Sequence, residues 1–263
     1  MMALSMIAIL FMGLILGLLG AGGAILTIPI LVYLMNIPGQ EAVVYSYAIV
    51  GALSMMAAIP GLLRREVDVP AIFWLGIPSV IVLSWCRSVL IPLIPKEIIA
   101  LPGFSLSRDT ATMLLFAIVV AWSAIRMLAP VTNEKEPSTT SKPRLLITGV
   151  VLGLLTGLLG VGGGFIIIPA LVLVMGLGIN IAVNTSLTII SINTLFGLGS
   201  SYALLANLDW FLAARIIAVA AIGMAVGIRS RQKIPASLLK RIFAWMLLAV
   251  AVFILLKEIM GLT

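Results

Sequence analysis

The residues of this chain whose types and spacing could do chemistry fall into two glycine clusters and one polar helix-length segment. The clusters are Gly20-Ala21-Gly22-Gly23 and Gly160-Val161-Gly162-Gly163-Gly164, each followed by a proline, Pro29 or Pro169. Glycine costs about 1 kcal/mol relative to alanine inside a helix, so such a cluster predicts a helix break. The helix that restarts after a break carries partial positive charge and unpaired N–H groups at its N-terminus. Those groups bind anions, and glycine lets a ligand approach the backbone closely. Gly22, Gly23, Gly162, Gly163 and Gly164 are therefore candidate anion-binding residues. The polar segment carries Asn184, Thr185, Ser186, Thr188, Ser191, Asn193 and Thr194 in an otherwise apolar stretch. At helical spacing Asn184, Thr188 and Ser191 share one narrow face, and Ser186 and Asn193 lie nearly opposite. Ser46 is the equivalent of Ser186 in the first half of the chain. These side chains could line a solute site, or they could bond neighbouring helices and their own helix carbonyls.

Other chemistries lack material. The chain has no histidine, a single cysteine (Cys86) and nine scattered carboxylates. That excludes an intrachain disulfide, leaves no ligand set for a transition metal or other cofactor, and supplies no nucleophile–base pair for an enzyme. Gly160-x-Gly162 does not read as a dinucleotide loop, because no strand precedes it. Among charges inside apolar segments, Arg215 either lines an anion path or snorkels to the outer interface. Asp68 and Asp209 stand at equivalent helix starts as partners of the helix dipole.

The elements that must position these residues are membrane helices. Apolar residues make up 62% of the 263 and charged residues 10%, with a mean hydropathy of +1.28. A soluble domain needs about 25% charged residues to cover its surface. The net charge of +7 resides in loops between apolar runs, where it orients the chain in a bilayer and does not suggest nucleic acid. The fold class expected is all-α and polytopic.

Internal duplication organises the chain. Residues 13–35 and 153–175 match at a constant offset of 140, with 13 of 23 positions identical, six of them Gly or Pro. Apolar composition alone does not bring Gly and Pro into register. Residues 1–129 thus form a first transmembrane repeat, 130–144 a polar cytoplasmic linker, and 145–263 a second repeat. Gly13-x-x-x-Gly17 and Gly149-x-x-x-Gly153-x-x-x-Gly157 read as helix-packing stripes. Leucine at 153 should harm packing, whereas leucine at 163 should block solute passage and leave insertion intact.

Further apolar segments lie at 42–60, 71–90, 112–128, 182–203, 210–228 and 242–257. Each broken opening is either one interrupted span or a hairpin of two short helices. A hairpin in each half places eleven of the sixteen basic residues in the cytoplasm, including Arg64, Arg65 and those near 126–144 and 229–241. An interrupted span splits them about evenly. Hairpins give each half five segments, so the halves become an inverted repeat with both termini outside.

The motif G-x-x-x-G-x-x-G-x-G-G-x-x-x-x-x-P occurs in both halves. It is joined by Ala182-Val183-Asn184-Thr185-Ser186-Leu187, Asn207-Leu208-Asp209-Trp210 and Gly223-x-x-x-Gly227. In these features the chain resembles the TauE/SafE family of sulfite exporters. The first half departs from the pattern at Glu41–Tyr47 and at Arg87. The resemblance implies a multi-pass inner-membrane permease, with a small sulfur-containing anion such as sulfite or an organosulfonate as substrate and lipid as its surroundings. Export is the expected direction, and a proton- or ion-coupled importer of another small organic anion is the alternative on the same fold. Homodimerisation stays open.

Overall fold

The computed structural model describes residues 2–20, 24–95, 97–101, 104–128, 142–159, 163–201, 208–231 and 233–262. The N-terminal helices are α1 (Met2–Leu19), α2 (Ala24–Leu34), α3 (Gly39–Leu63), α4 (Val69–Leu93) and α5 (Arg108–Leu128). The C-terminal helices are α6 (Lys142–Leu159), α7 (Gly164–Met175), α8 (Ile179–Ser200), α9 (Trp210–Arg231) and α10 (Ala236–Leu262). Among the described residues, seven helices are long and apolar enough to cross a membrane, and α1, α2 and α7 supply shorter apolar helices. Helix α6 starts at Lys142, inside the stretch read from sequence as linker.

One element departs from the all-α expectation. Glu97–Leu101 (β1) and Phe104–Ser107 (β2) pair as an antiparallel hairpin between α4 and α5. The β-branched pair Ile98-Ile99 favours extended backbone, and the segment falls where the first half carries extra sequence relative to the second.

Helices α1 and α2 form a hairpin rather than one interrupted span. Ser5 Oγ donates to the Leu34 carbonyl at 3.5 Å, and Thr27 Oγ1 donates to Met12 Sδ at 3.2 Å. The start of α1 therefore meets the end of α2, which only an antiparallel pair allows. Gly20 at the turn has φ +71°, a left-handed conformation natural to glycine.

Helix starts follow from local chemistry. Asp68 Oδ1 accepts from the Ala71 N–H at 2.7 Å, and Asp209 Oδ1 accepts from Phe211 and Leu212 N–H at 2.9 and 3.0 Å. Both are side-chain N-caps, with proline following Asp68 in the first turn. Helix α4 contains two wide π turns, Ile72–Gly76 and Cys86–Leu90. Each holds the carbonyl four residues before a proline, Trp74 before Pro78 and Ser88 before Pro92. Widening there relieves the clash of the proline ring with that carbonyl.

Glycine stripes set the packing. A Cβ on Gly13 or Gly17 would lie 2.0 or 2.2 Å from the Ala220 or Met224 carbonyl oxygen of α9, and one on Gly223 or Gly227 would meet α1 as closely. The contacts advance together along both chains, so α1 and α9 run parallel at backbone contact. Gly149 and Gly153 of α6 approach Leu75 and Ser79 of α4 in the same way, also in parallel. Helices α3 and α8 sit centrally and run antiparallel: Gly51 meets Thr194, Gly61 meets Asn184, and Gly197 meets Tyr47. Helix α5 packs on α10. The partners are thus first with fourth, third with third, and fifth with fifth across the two sets of five. Backbone approach this close admits no side chain. Gly153→Leu, whose Cβ alone would lie 2.5 Å from the Ser79 oxygen, is expected to abolish monodisperse folded protein in detergent. Size-exclusion profiles would check it, with Gly178→Leu, where nothing lies within 4 Å of an added Cβ, as the tolerated control.

Candidate functional site

A cavity of about 580 Å³ opens at the end of the bundle where α3 finishes and α8 begins. Its walls come from α1 (Leu16, Gly17), the last turns of α3, the first turns of α8 and the end of α9. The α3–α4 connection adds Arg64 and Glu66, and α9 adds Arg231. Arg231 Nη2 donates to Asn184 Oδ1 at 3.0 Å, and Asn184 Nδ2 donates to Glu66 Oε2 at 3.3 Å. One amide thus bridges a guanidinium and a carboxylate and is held in a single orientation by both. Two guanidinium groups against one carboxylate leave the cavity net positive. Asn180 adds a second amide, and the remaining described wall residues are apolar, which strengthens the field at an ion against them.

Of the site residues expected from sequence, Asn184 lines this cavity. Thr185 is fully buried beside it, its Oγ1 accepting from the Asp68 N–H at 2.9 Å. The matching bond elsewhere is Asp209 N–H to the Tyr45 hydroxyl at 2.9 Å. Each set of five helices thereby tethers the start of its fourth helix to the third helix of the other set. Ser186 and Ser191 donate to the Val183 and Thr188 carbonyls of their own helix, both at 2.8 Å. Their protons are spent within α8, as hydroxyls in membrane helices often are. Asn193 Oδ1 accepts from Ser79 Oγ at 3.1 Å, and its Nδ2 is buried with no partner among the described residues. Ser46 Oγ is likewise buried and without a partner there.

Gly22, Gly23 and Gly162 lie outside the described residues. Gly163 has φ +79°, and a Cβ there would lie 2.0 Å from Thr156 Cγ2. Backbone conformation and the α6 contact are enough to require glycine. Leucine at 163 is therefore expected to damage the fold as well, and it does not separate binding from packing as the sequence suggested. Gly164 begins α7 and is buried.

The described residues beside the two clusters do not converge on one point. Gly20 abuts Val183 at the start of α8, whereas Gly157, just before the second cluster, abuts Cys86 in α4. The bond from Asp68 to Thr185 puts the start of α4 level with the start of α8. Cys86 is 17 residues beyond Val69, about 25 Å along the helix, so Gly20 and Gly157 lie toward opposite ends of the bundle. Arg215 is exposed and stacks over Phe211, 4.3 Å from the ring centre, which removes it from any path.

Sequence reasoning counted Arg64 and Arg231 only as orienting charges and gave Glu66 no role. The usable signal was their position in or just past the last turn of an apolar helix, where a charge can turn inward as readily as outward.

A glycine-stapled bundle of long apolar helices with a polar cavity open at one end fits a multi-pass membrane transporter. The chain belongs to the sulfite exporter TauE/SafE family, which matches residues 5–254. It is 27% identical over 258 residues to a "Probable membrane transporter protein" of Xylella fastidiosa strain 9a5c, covering 94% of this chain and 92% of that one. It is 25% identical over 237 residues to "Probable membrane transporter protein YdhB" of Bacillus subtilis strain 168, covering 90% and 93% respectively. A "Probable membrane transporter protein" of Haemophilus influenzae is 25% identical over 262 residues, covering 93% and 94%. No solved structure gives a significant match. The protein is a transporter and not an enzyme.

Proposed function

We propose that this protein carries a small sulfur-containing anion, sulfite or an organosulfonate, across the inner membrane, with export as its direction. The observation that carries the reading is the net-positive cavity bounded by Arg64, Arg231, Asn184 and Glu66. In this reading the two halves are an inverted repeat, residues 1–129 and 145–263. Support comes from the antiparallel third helices and from the exchanged partners of the first and fourth, which a two-fold axis in the membrane plane would generate. Gly22 and Gly23, which the sequence offers as anion contacts, are kept in this proposal for the first half. Gly162, Gly163 and Gly164 are the corresponding candidates in the second half, and Ser46, Thr185, Ser186, Ser191 and Asn193 are the candidate polar contacts along the central helix pair. The cavity belongs to the cytoplasmic side, because Arg64, Arg65, Arg229 and Arg231 cluster there. Reporter fusions after Thr263 should report the outside and fusions near Ser138 the inside, and agreement between the two would sink the inverted repeat.

The direct test is methanesulfonate flux in proteoliposomes, compared with flux of a cation of similar size. Selective passage of the cation would end the anion reading. Glu66 favours a second reading, a proton-coupled importer, since it is a titratable group inside the cavity and bonded to Asn184. A pH gradient that drives uphill methanesulfonate accumulation at zero potential, and fails in Glu66→Gln, would select it.

A further inference from the structure

The opposite end of the central helix pair holds a buried charge that the cavity does not use. Arg87 is 6% exposed and Tyr47 1%. The Arg87 guanidinium stacks over the Tyr47 ring, 5.6 Å from its centre. Its Nε and Nη2 both point at the Ser201 hydroxyl, at long distances of 3.4 and 3.3 Å. Neither Arg87 Nη1 nor the Tyr47 hydroxyl has a hydrogen-bond partner among the described residues, and no carboxylate pairs with Arg87 there. A desolvated guanidinium without a counter-ion is strongly unfavourable, and such charges at membrane depth mark functional positions. The π turn Cys86–Leu90 carries Arg87, and turns of this kind recur where a side chain must be re-aimed.

The position of this cluster is not arbitrary. The 140-residue offset that aligns the halves carries Gly61 of the cavity to Ser201 and Leu187 back to Tyr47. With the extra residue that also relates Asp68 to Asp209, it carries Ile228 of the cavity back to Arg87. The three residues that close one end are therefore the sequence counterparts of three that line the open cavity at the other.

We propose that Arg87 and Tyr47 form a second small-anion site at the outer end of the α3–α8 pair. It takes a monovalent halide or oxoanion on Arg87 Nη1 and the Tyr47 hydroxyl. Its place as the outer station of the transport path rests on the anion reading above, but its capacity to bind an anion does not. In transport, exchange of conformation between the halves would open this end and close the other, and Arg87 would meet the anion that Arg231 had released.

Thermal unfolding of the detergent-solubilised full chain tests the site, with chloride titrated against gluconate at fixed ionic strength. The native protein should gain a saturable chloride-dependent rise in its midpoint. Arg87→Gln should lose the part of this rise that Arg87 contributes, Arg231→Gln should retain that part, and the double variant should show no saturable rise. Tyr47→Phe removes a single hydroxyl and should raise the half-saturating chloride concentration about tenfold. No saturable response in the native chain, or an unchanged response in Arg87→Gln, overturns the site. Where Arg87→Gln does not fold, a Tyr47→Phe curve superimposable on the native one overturns it. Loss of methanesulfonate selectivity with the Arg87-dependent response intact would sink the transport reading and leave this site standing.

Discussion

Arg231→Gln is expected to raise the half-saturating methanesulfonate concentration, measured from the cavity side, by about ten- to a hundredfold. That is the loss of one charge-assisted hydrogen bond to the anion. The direction follows from the charge left behind. With Arg231 neutral, Arg64 faces Glu66 alone, the cavity loses its net positive charge, and Asn184 loses the donor that fixes its Oδ1. The same logic gives the opposite sign for Glu66→Gln, which removes the one carboxylate among the described cavity residues and should tighten binding. Parallel weakening in both variants would mean that the cavity contributes shape and not charge, and the anion reading would fail. Glutamine keeps a planar polar end, so loss of folded protein is not the expected reason for the effect. Monodispersity of both variants checks this.

The second large effect concerns driving force. A monoanion moving from the cytoplasm through this chain should follow the membrane potential, with 100 mV shifting its equilibrium distribution about fifty-fold. The carboxylates with described cavity or helix-end roles, Glu66, Asp68 and Asp209, stand at helix ends, and Glu258 near the end of α10 accepts from the Tyr33 hydroxyl. None of them lies midway along α3, α4, α8 or α9, so among the described residues these carboxylates form no relay between the two ends. Methanesulfonate keeps its charge across the working pH range, whereas sulfite titrates near neutrality and would imitate proton coupling. Flux set by a potassium–valinomycin potential and indifferent to pH is the expected result. Accumulation against its gradient under a pH difference alone would make Glu66 the carrier to test first.

The bilayer setting was legible in composition, because hydropathy is a property of segments and needs no partner. So were the helix breaks, since glycine clusters act through local backbone energetics. The Gly13–Gly17 and Gly149–Gly157 stripes could be read as packing surfaces, but their partners, α9 and α4, could not. The hairpin at Glu97–Ser107 escaped because strand pairing over so few residues leaves no period to detect. The polar segment 184–194 announced a special helix, yet most of its hydroxyls bond their own backbone. Whether a serine turns to its helix or to a solute depends on neighbours that the segment does not contain.

The sequence by itself determined the solvent, the breaks, the caps and the two-fold offset of 140, all set by short-range chemistry or by register within one strand of text. Only the tertiary structure decided which charges matter. Arg64 and Glu66 follow α3, Asn184 stands in the second turn of α8 and Arg231 ends α9, and nothing local distinguishes them from residues meeting lipid headgroups. They converge because α3 and α8 cross antiparallel at glycine contacts while α9 is held against α1 at backbone distance. Arg231, half-buried and held by Asn184, then acts on an anion more strongly than it would in open water, while Arg64 and Glu66 remain exposed.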